Sequence, residues 1–123
     1  MLSRRTLLSA AFQSRTRPNF IVIYTDDQGI GDVGAYGHPD VKTPHLDRLA
    51  ASGIRFTNWY SNSPVCSPSR ASVFTGKYPE KHGILDVLAS NAQFNVPGLR
   101  AKEKTLATEL KQAGYRTGHF GKW

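Results

Sequence analysis

Asn19-Phe20-Ile21-Val22-Ile23-Tyr24-Thr25, running directly into Asp26-Asp27, is the stretch on which the fold turns. An unbroken apolar run rich in β-branched residues is the pattern of a strand covered on both faces, as in a parallel sheet. Working outward from it, Gln28 to Lys42, with Gly29, Gly31, Gly34, Gly37 and Pro39, reads as a loop. Thr43-Pro44 opens a helix, with Thr as N-cap and Pro at the first helical position. Leu46, Leu49 and Ala50 share its apolar face, and Gly53 closes it. Ile54 to Tyr60 reads as a second strand, Ser61 to Pro68 as a turn, and Ser69 to Thr75 as a short helix ended by Gly76. Tyr78 to Glu103 is irregular, Thr105 to Ala113 is an amphipathic helix capped by Gly114, and Tyr115 to Phe120 is a third strand. This order predicts an α/β fold, a mostly parallel sheet flanked by helices. Ligands of such sheets collect beyond the carboxyl ends of the strands. Asp26 and Asp27 stand at one such end, and Lys122 lies just past the last strand.

A chain of 123 residues is one domain at most. No apolar run approaches the ~20 residues of a membrane-spanning helix, so stable membrane insertion is not expected. The formal charge is +7, from 16 Lys and Arg against 9 Asp and Glu. Arg4, Arg5, Arg15 and Arg17 lie in an acid-free leader, residues 1–17; the remaining twelve cationic side chains are scattered and face nine acidic ones. No basic stripe alternates with aromatics, which argues against nucleic-acid binding. Within the leader, Ser3-Arg4-Arg5-Thr6-Leu7-Leu8 reads either as a twin-arginine-type export signal, implying a periplasmic or secreted protein, or as a basic tail of a cytoplasmic one. The following apolar stretch, Leu7 to Phe12, is short for a signal sequence. Gly118-His119-Phe120-Gly121-Lys122-Trp123 ends on an aromatic residue straight after a strand-like segment, where a domain ordinarily ends in a polar tail. Residues 18–123 are therefore expected to be the N-terminal portion of a larger domain.

Two clusters carry chemistry. Adjacent carboxylates at the end of a buried strand repel each other and need a cation or hydrogen-bond donors to stay ionised. Asp26 and Asp27 either serve a hard cation such as Ca²⁺ or Mg²⁺, or simply begin a turn. The second cluster is Cys66-Ser67-Pro68-Ser69-Arg70, continuing Ala71-Ser72-Val73-Phe74-Thr75-Gly76. Cys66 is the one cysteine, so no intrachain disulfide forms. Its setting just before a helix start favours anions, and Arg70 one turn on adds a planar donor fork suited to oxyanions. Such a cysteine is either activated or an inert buried thiol beside a solvated arginine.

Cys-x-Pro-Ser-Arg followed by Thr-Gly at this spacing resembles the signature of formylglycine-dependent sulfatases, members of the alkaline-phosphatase-like superfamily. Arg17-Pro18-Asn19-Phe20-Ile21 through Asp26-Asp27-Gln28-Gly29 resembles that family's opening strand and metal-binding acid pair. Thr43-Pro44-His45-Leu46-Asp47-Arg48-Leu49-Ala50 is similar to its first helix. Gly76-Lys77-Tyr78-Pro79 with His82-Gly83 is similar to its second signature, and Gly121-Lys122-Trp123 to the start of its Gly-Lys-Trp-His stretch.

The resemblance implies an arylsulfatase-like hydrolase of sulfate esters. Cys66 would be oxidised by a formylglycine-generating maturation enzyme to Cα-formylglycine. One hydroxyl of the aldehyde hydrate would attack sulfur and expel the alcohol, and the other would lose its proton as the aldehyde reforms and sulfate leaves. By the same resemblance Asp26, Asp27 and residue 66 would hold Ca²⁺ or Mg²⁺, Arg70 would stabilise the ionised hydrate, and Lys122 would bind a sulfate oxygen. His82 matches the signature without an assigned role, and His38, His45 and His119 read as surface or packing residues. The family's later metal and substrate ligands are not in this sequence, so the chain alone is expected to be inactive and of little stability. The rivals are a phosphonate or phosphodiester hydrolase of the same superfamily and a non-catalytic fragment.

Overall fold

The computed structural model describes residues 17–88 and 98–123. The leader containing Arg4 and Arg5, and Pro97 in the segment read as irregular, lie outside the described residues.

Four α-helices are present among the described residues: α1 (Pro44–Ser52), α2 (Cys66–Thr75), α3 (Pro79–His82) and α4 (Leu106–Gln112). Two single 3-10 turns, Ile30–Asp32 and Gly34–Tyr36, punctuate the glycine-rich loop before α1. Three of the four helix starts have a local cause. Pro44 and Pro79 occupy first-turn positions, where a missing N–H leaves nothing unsatisfied. Thr105 caps α4, accepting from the Thr108 N–H at 3.2 Å while its own N–H donates to Thr108 Oγ1 at 2.8 Å. Thr43 precedes α1 as expected but makes no cap bond to the helix backbone. Its hydroxyl donates to Asp47 Oδ1 at 2.8 Å and accepts the Gly34 N–H at 2.8 Å, tying the loop to the helix instead.

α2 begins three residues earlier than the expected Ser69, so Cys66 is its first residue rather than lying before it. Pro68 is the third residue of that helix. A proline there sits within the first turn, whose N–H groups have no partner inside the helix, so it does not break it. The end is as expected: Gly76 adopts the left-handed conformation at φ +66°, and its N–H donates to the Ser72 carbonyl at 2.8 Å. α3 was not foreseen within the stretch read as irregular. It is one turn long, too short for an apolar period to register.

The expected sheet is the main correction. None of the three expected strands, Asn19–Thr25, Ile54–Tyr60 and Tyr115–Phe120, is a strand among the described residues. A strand exists through ladder hydrogen bonds to a neighbour, and an apolar run specifies only the wish for cover. Here that wish is unmet: Ile21 is 84% exposed and Ile23 76%. The arrangement still has a direction. The Arg17 guanidinium donates to the Ala113 carbonyl, the Phe20 and Tyr115 rings lie 5.5 Å apart, and Asp26 meets Lys122. The sequence separation stays at 95 or 96 residues along these pairs, so segments 17–26 and 113–122 run side by side in the same direction.

The enclosed part of the molecule is α2 and its surroundings. Residues 67–72, Ser-Pro-Ser-Arg-Ala-Ser, are all buried, and α3 and α4 pack against this helix. Small side chains let neighbouring backbone approach closely, which is how so polar a helix becomes the centre of packing. Ile84, following α3, is fully buried.

Candidate active site

Asp26 and Asp27 end the first extended segment, and Asp27 turns the chain through a left-handed φ of +53°, a conformation that aspartate tolerates better than most residues. The turn brings both acids into a cleft of about 360 Å³ whose wall also contains Cys66 and Arg70. Lys122 reaches the same place from the end of the second extended segment. Four of the five residues singled out in the sequence thus line one cleft, and the fifth is bonded to one of them.

Asp26 is the hub. Lys122 Nζ donates to both carboxylate oxygens, at 3.0 and 2.8 Å, and Arg70 Nη2 donates to Oδ1 at 3.1 Å. The Lys122 hydrogen bond, and then that of Arg70, hold the Asp26 carboxyl below its ordinary value. Reciprocally, Asp26 raises the Lys122 ammonium above its own. Both groups therefore stay charged across the physiological range.

Arg70 is fixed from several sides. Its side chain is 8% exposed. Nη2 also approaches the Thr25 carbonyl at 3.4 Å, and Nη1 donates to the Lys122 carbonyl at 3.3 Å. The guanidinium carbon lies 5.3 Å from the centre of the Tyr24 ring. Nε is buried without a hydrogen-bond partner among the described residues. A buried guanidinium held by two chain segments and a ring is a rigid cation, and its position is set before any anion arrives.

Tyr24 was missed as a site residue. Its ring lies against Arg70, and its hydroxyl shares a hydrogen bond with Ser69 Oγ, next to Arg70 on α2. The only signal in the sequence was a phenol placed directly before Thr25-Asp26-Asp27, at the end of an otherwise non-hydroxylated apolar run. Of the histidines set aside, His38 accepts the Asp40 and Val41 N–H groups, His45 Nδ1 contacts Arg48, and His119 packs edge-on against Phe74.

The carboxylates of Asp26 and Asp27 are hard anionic oxygens of the kind Ca²⁺ and Mg²⁺ take, so the donor chemistry at the cleft fits such an ion. The donor number does not complete a site. Among the described residues no group of three or more His, Cys, Asp or Glu side chains is placed to hold a metal. Residue 66 shares the cleft with the two acids without forming the three-donor cluster expected of it.

Comparison with known proteins matches residues 18–123 to the Sulfatase family model. The chain is 44% identical over 128 residues to steryl-sulfatase of Rattus norvegicus, covering 100% of this chain and 22% of that protein. It is 44% identical over 117 residues to arylsulfatase A of Homo sapiens, covering 94% of this chain and 22% of that protein. It is 42% identical over 111 residues to the N-acetylgalactosamine-6-O-sulfatase of Bacteroides thetaiotaomicron, covering 90% and 21%. The chain spans about a fifth of the length of these curated relatives.

Proposed function

Since this chain belongs to the sulfatase family, we propose that it forms the nucleophile-bearing part of an enzyme that hydrolyses sulfate esters. The observation that carries this reading is the cleft itself: Cys66, at the first turn of a buried helix, faces the place where Asp26 is gripped by Arg70 and Lys122. Family membership implies an alkaline-phosphatase-like α/β fold for the whole protein.

After oxidation by a maturation enzyme, residue 66 would be Cα-formylglycine, which supplies a hydrated aldehyde as nucleophile. A thiol at this place has no second hydroxyl with which to release sulfate. Asp26 and Asp27 would hold Ca²⁺ or Mg²⁺, an ion that supplies Lewis acidity at a sulfate oxygen. The chain's own cations do the rest. Arg70, immobile and dry, stabilises negative charge developing near residue 66. Lys122, half-exposed, contributes an ammonium that binds a sulfate oxygen and balances Asp26. Substrate is drawn to the cleft by these two cations, and the bonds from Lys122 and then Arg70 keep the Asp26 carboxylate ionised.

Export to the periplasm or outside the cell fits the Arg4-Arg5 leader; no helix among the described residues is long and apolar enough to cross a membrane. The phosphonate or phosphodiester rival is not favoured, since the relatives just described are named sulfatases.

The experiment is to produce the full-length protein with a formylglycine-generating enzyme and measure hydrolysis of an aryl sulfate and of an aryl phosphonate monoester. Turnover of the sulfate, abolished by Cys66→Ala, supports the reading. Turnover of the phosphonate alone, or of neither, overturns it.

A further inference from the structure

Among the described residues His82 is the least exposed of the buried polar ones, at 1%, and nothing in the proposed chemistry uses it. It ends α3, from which the chain runs back along α2. His82 Nε2 lies 3.1 Å from Ser72 Oγ, and six residues later the Leu88 N–H donates to Ser67 Oγ at 3.2 Å. Contacts that advance along one segment while retreating along α2 describe an antiparallel strap. It lies against the small, buried residues 67–72 that lead from the nucleophile position past Arg70.

The ring's protonation is set by its partners. The Ile84 N–H donates to His82 Nδ1 at 3.2 Å, so Nδ1 carries no proton. The neutral ring then bears its hydrogen on Nε2, facing Ser72 Oγ. An imidazolium cannot accept from Ile84, so only the neutral tautomer satisfies every bond at this site.

We propose that His82 is a positioning residue for the nucleophile helix: as a neutral Nε2–H imidazole bonded to Ser72, it pins α2 and so sets where residue 66 and Arg70 stand in the cleft. This rests on the functional reading above.

The strap carries a sign. The charged groups facing His82 are Glu103, Glu80 and Lys77, and Lys77 is itself paired with Glu103. Burial outweighs the acids and holds the imidazole below its ordinary 6.5. A base with a depressed folded value contributes stability that is complete above 6.5 and is lost as pH falls through the lower value. α2 should therefore loosen in acid.

The test uses the full-length, matured protein as wild type, His82→Gln and His82→Leu. Hydrogen exchange is read in peptides covering residues 66–75, corrected for the intrinsic pH dependence of exchange, alongside kcat and KM for an aryl sulfate. At neutral pH, glutamine can donate to Ser72 without titrating and should keep both α2 protection and kcat within about threefold of wild type. Leucine should speed α2 exchange by roughly tenfold and lower kcat with KM little changed. On acidification below 6.5 wild type should lose α2 protection and His82→Gln should not. Equal α2 protection in wild type and His82→Leu, or an acid loss shared by wild type and His82→Gln, overturns the inference. If His82→Leu does not fold, the comparison of wild type with His82→Gln decides. A wild type without turnover defeats the functional reading, while the exchange comparison still decides the role of His82.

Discussion

Lys122 and Asp26, 96 residues apart in sequence, meet through both carboxylate oxygens. In the full-length protein Lys122→Ala should therefore remove a cation from the cleft and leave the fold nearly untouched, because both partners are half-exposed. The expected result is a loss of about 10²-fold in kcat/KM for an aryl sulfate with the thermal midpoint little changed. A large fall in midpoint with normal turnover of the folded fraction would assign Lys122 to stability instead.

Arg70 should behave differently, since it is buried. Arg70→Lys keeps a charge and loses the planar fork that bonds Thr25, Asp26 and the Lys122 carbonyl together. It should lower kcat by about 10²–10³-fold and also lower the thermal midpoint. Unchanged kcat in Arg70→Lys would mean that the guanidinium shape is irrelevant.

Residue 66 is open to direct inspection. When the full-length protein is made with a maturation enzyme, mass spectrometry of the peptide containing Cys66 should show loss of the thiol and a reactive aldehyde. Full sulfatase activity with an intact thiol would falsify the formylglycine assignment.

The Asp26 clamp should be silent in the working pH range. Asp26 titrates below its ordinary 3.8, so its share of stability is present above 3.8 and is lost only as pH falls through the lowered value. Lys122 titrates above its ordinary 10.5, so its share is lost only as pH rises through the raised value. Between pH 5 and 9, roughly, Asp26→Asn and wild type should show stability-against-pH curves of the same shape in a denaturant titration. Divergence inside that window would place another group in the clamp.

Residues 18–123 on their own should melt without a sharp transition and bind a hydrophobic dye. Phe20, Ile21, Val22 and Ile23 are all more than half exposed, as are Ile54, Phe56 and Phe120. Bare strand-forming segments of this kind favour association over a unique fold. A cooperative calorimetric peak, with or without Ca²⁺, would contradict this.

The parts legible in the sequence were those fixed by neighbours. Gly76 and Thr105 mark helix ends through bonds to residues three or four places away, Pro44 marks one by its fixed φ and missing N–H, and the structure has them there. The meeting of Asp26 and Lys122 followed from a simple rule, that residues after parallel extended segments share an edge. The sheet read into the sequence is not formed among the described residues, because Ile21 and Ile23 state only that they want cover, and the ladder that makes a strand depends on distant partners. Tyr24 was overlooked for a similar reason: its role depends on Arg70 and Ser69, 46 and 45 residues away, and no local pattern announces such a pairing.

The near-constant offset between segments 17–26 and 113–122, 95 or 96 residues, bears on which insertions and deletions this chain will accept. Everything between the two segments can change length without altering how they line up, provided α2 still reaches the cleft. One residue removed between Arg116 and Gly121 draws every later residue back by a step along segment 17–26, past the bend at Gly121, where φ is +94°. Lys122 would then no longer stand opposite Asp26, although no residue named in the site had been replaced. Among sequences of this type, gaps should therefore gather in the connecting stretches and be missing from the six positions that separate Tyr115 from Lys122.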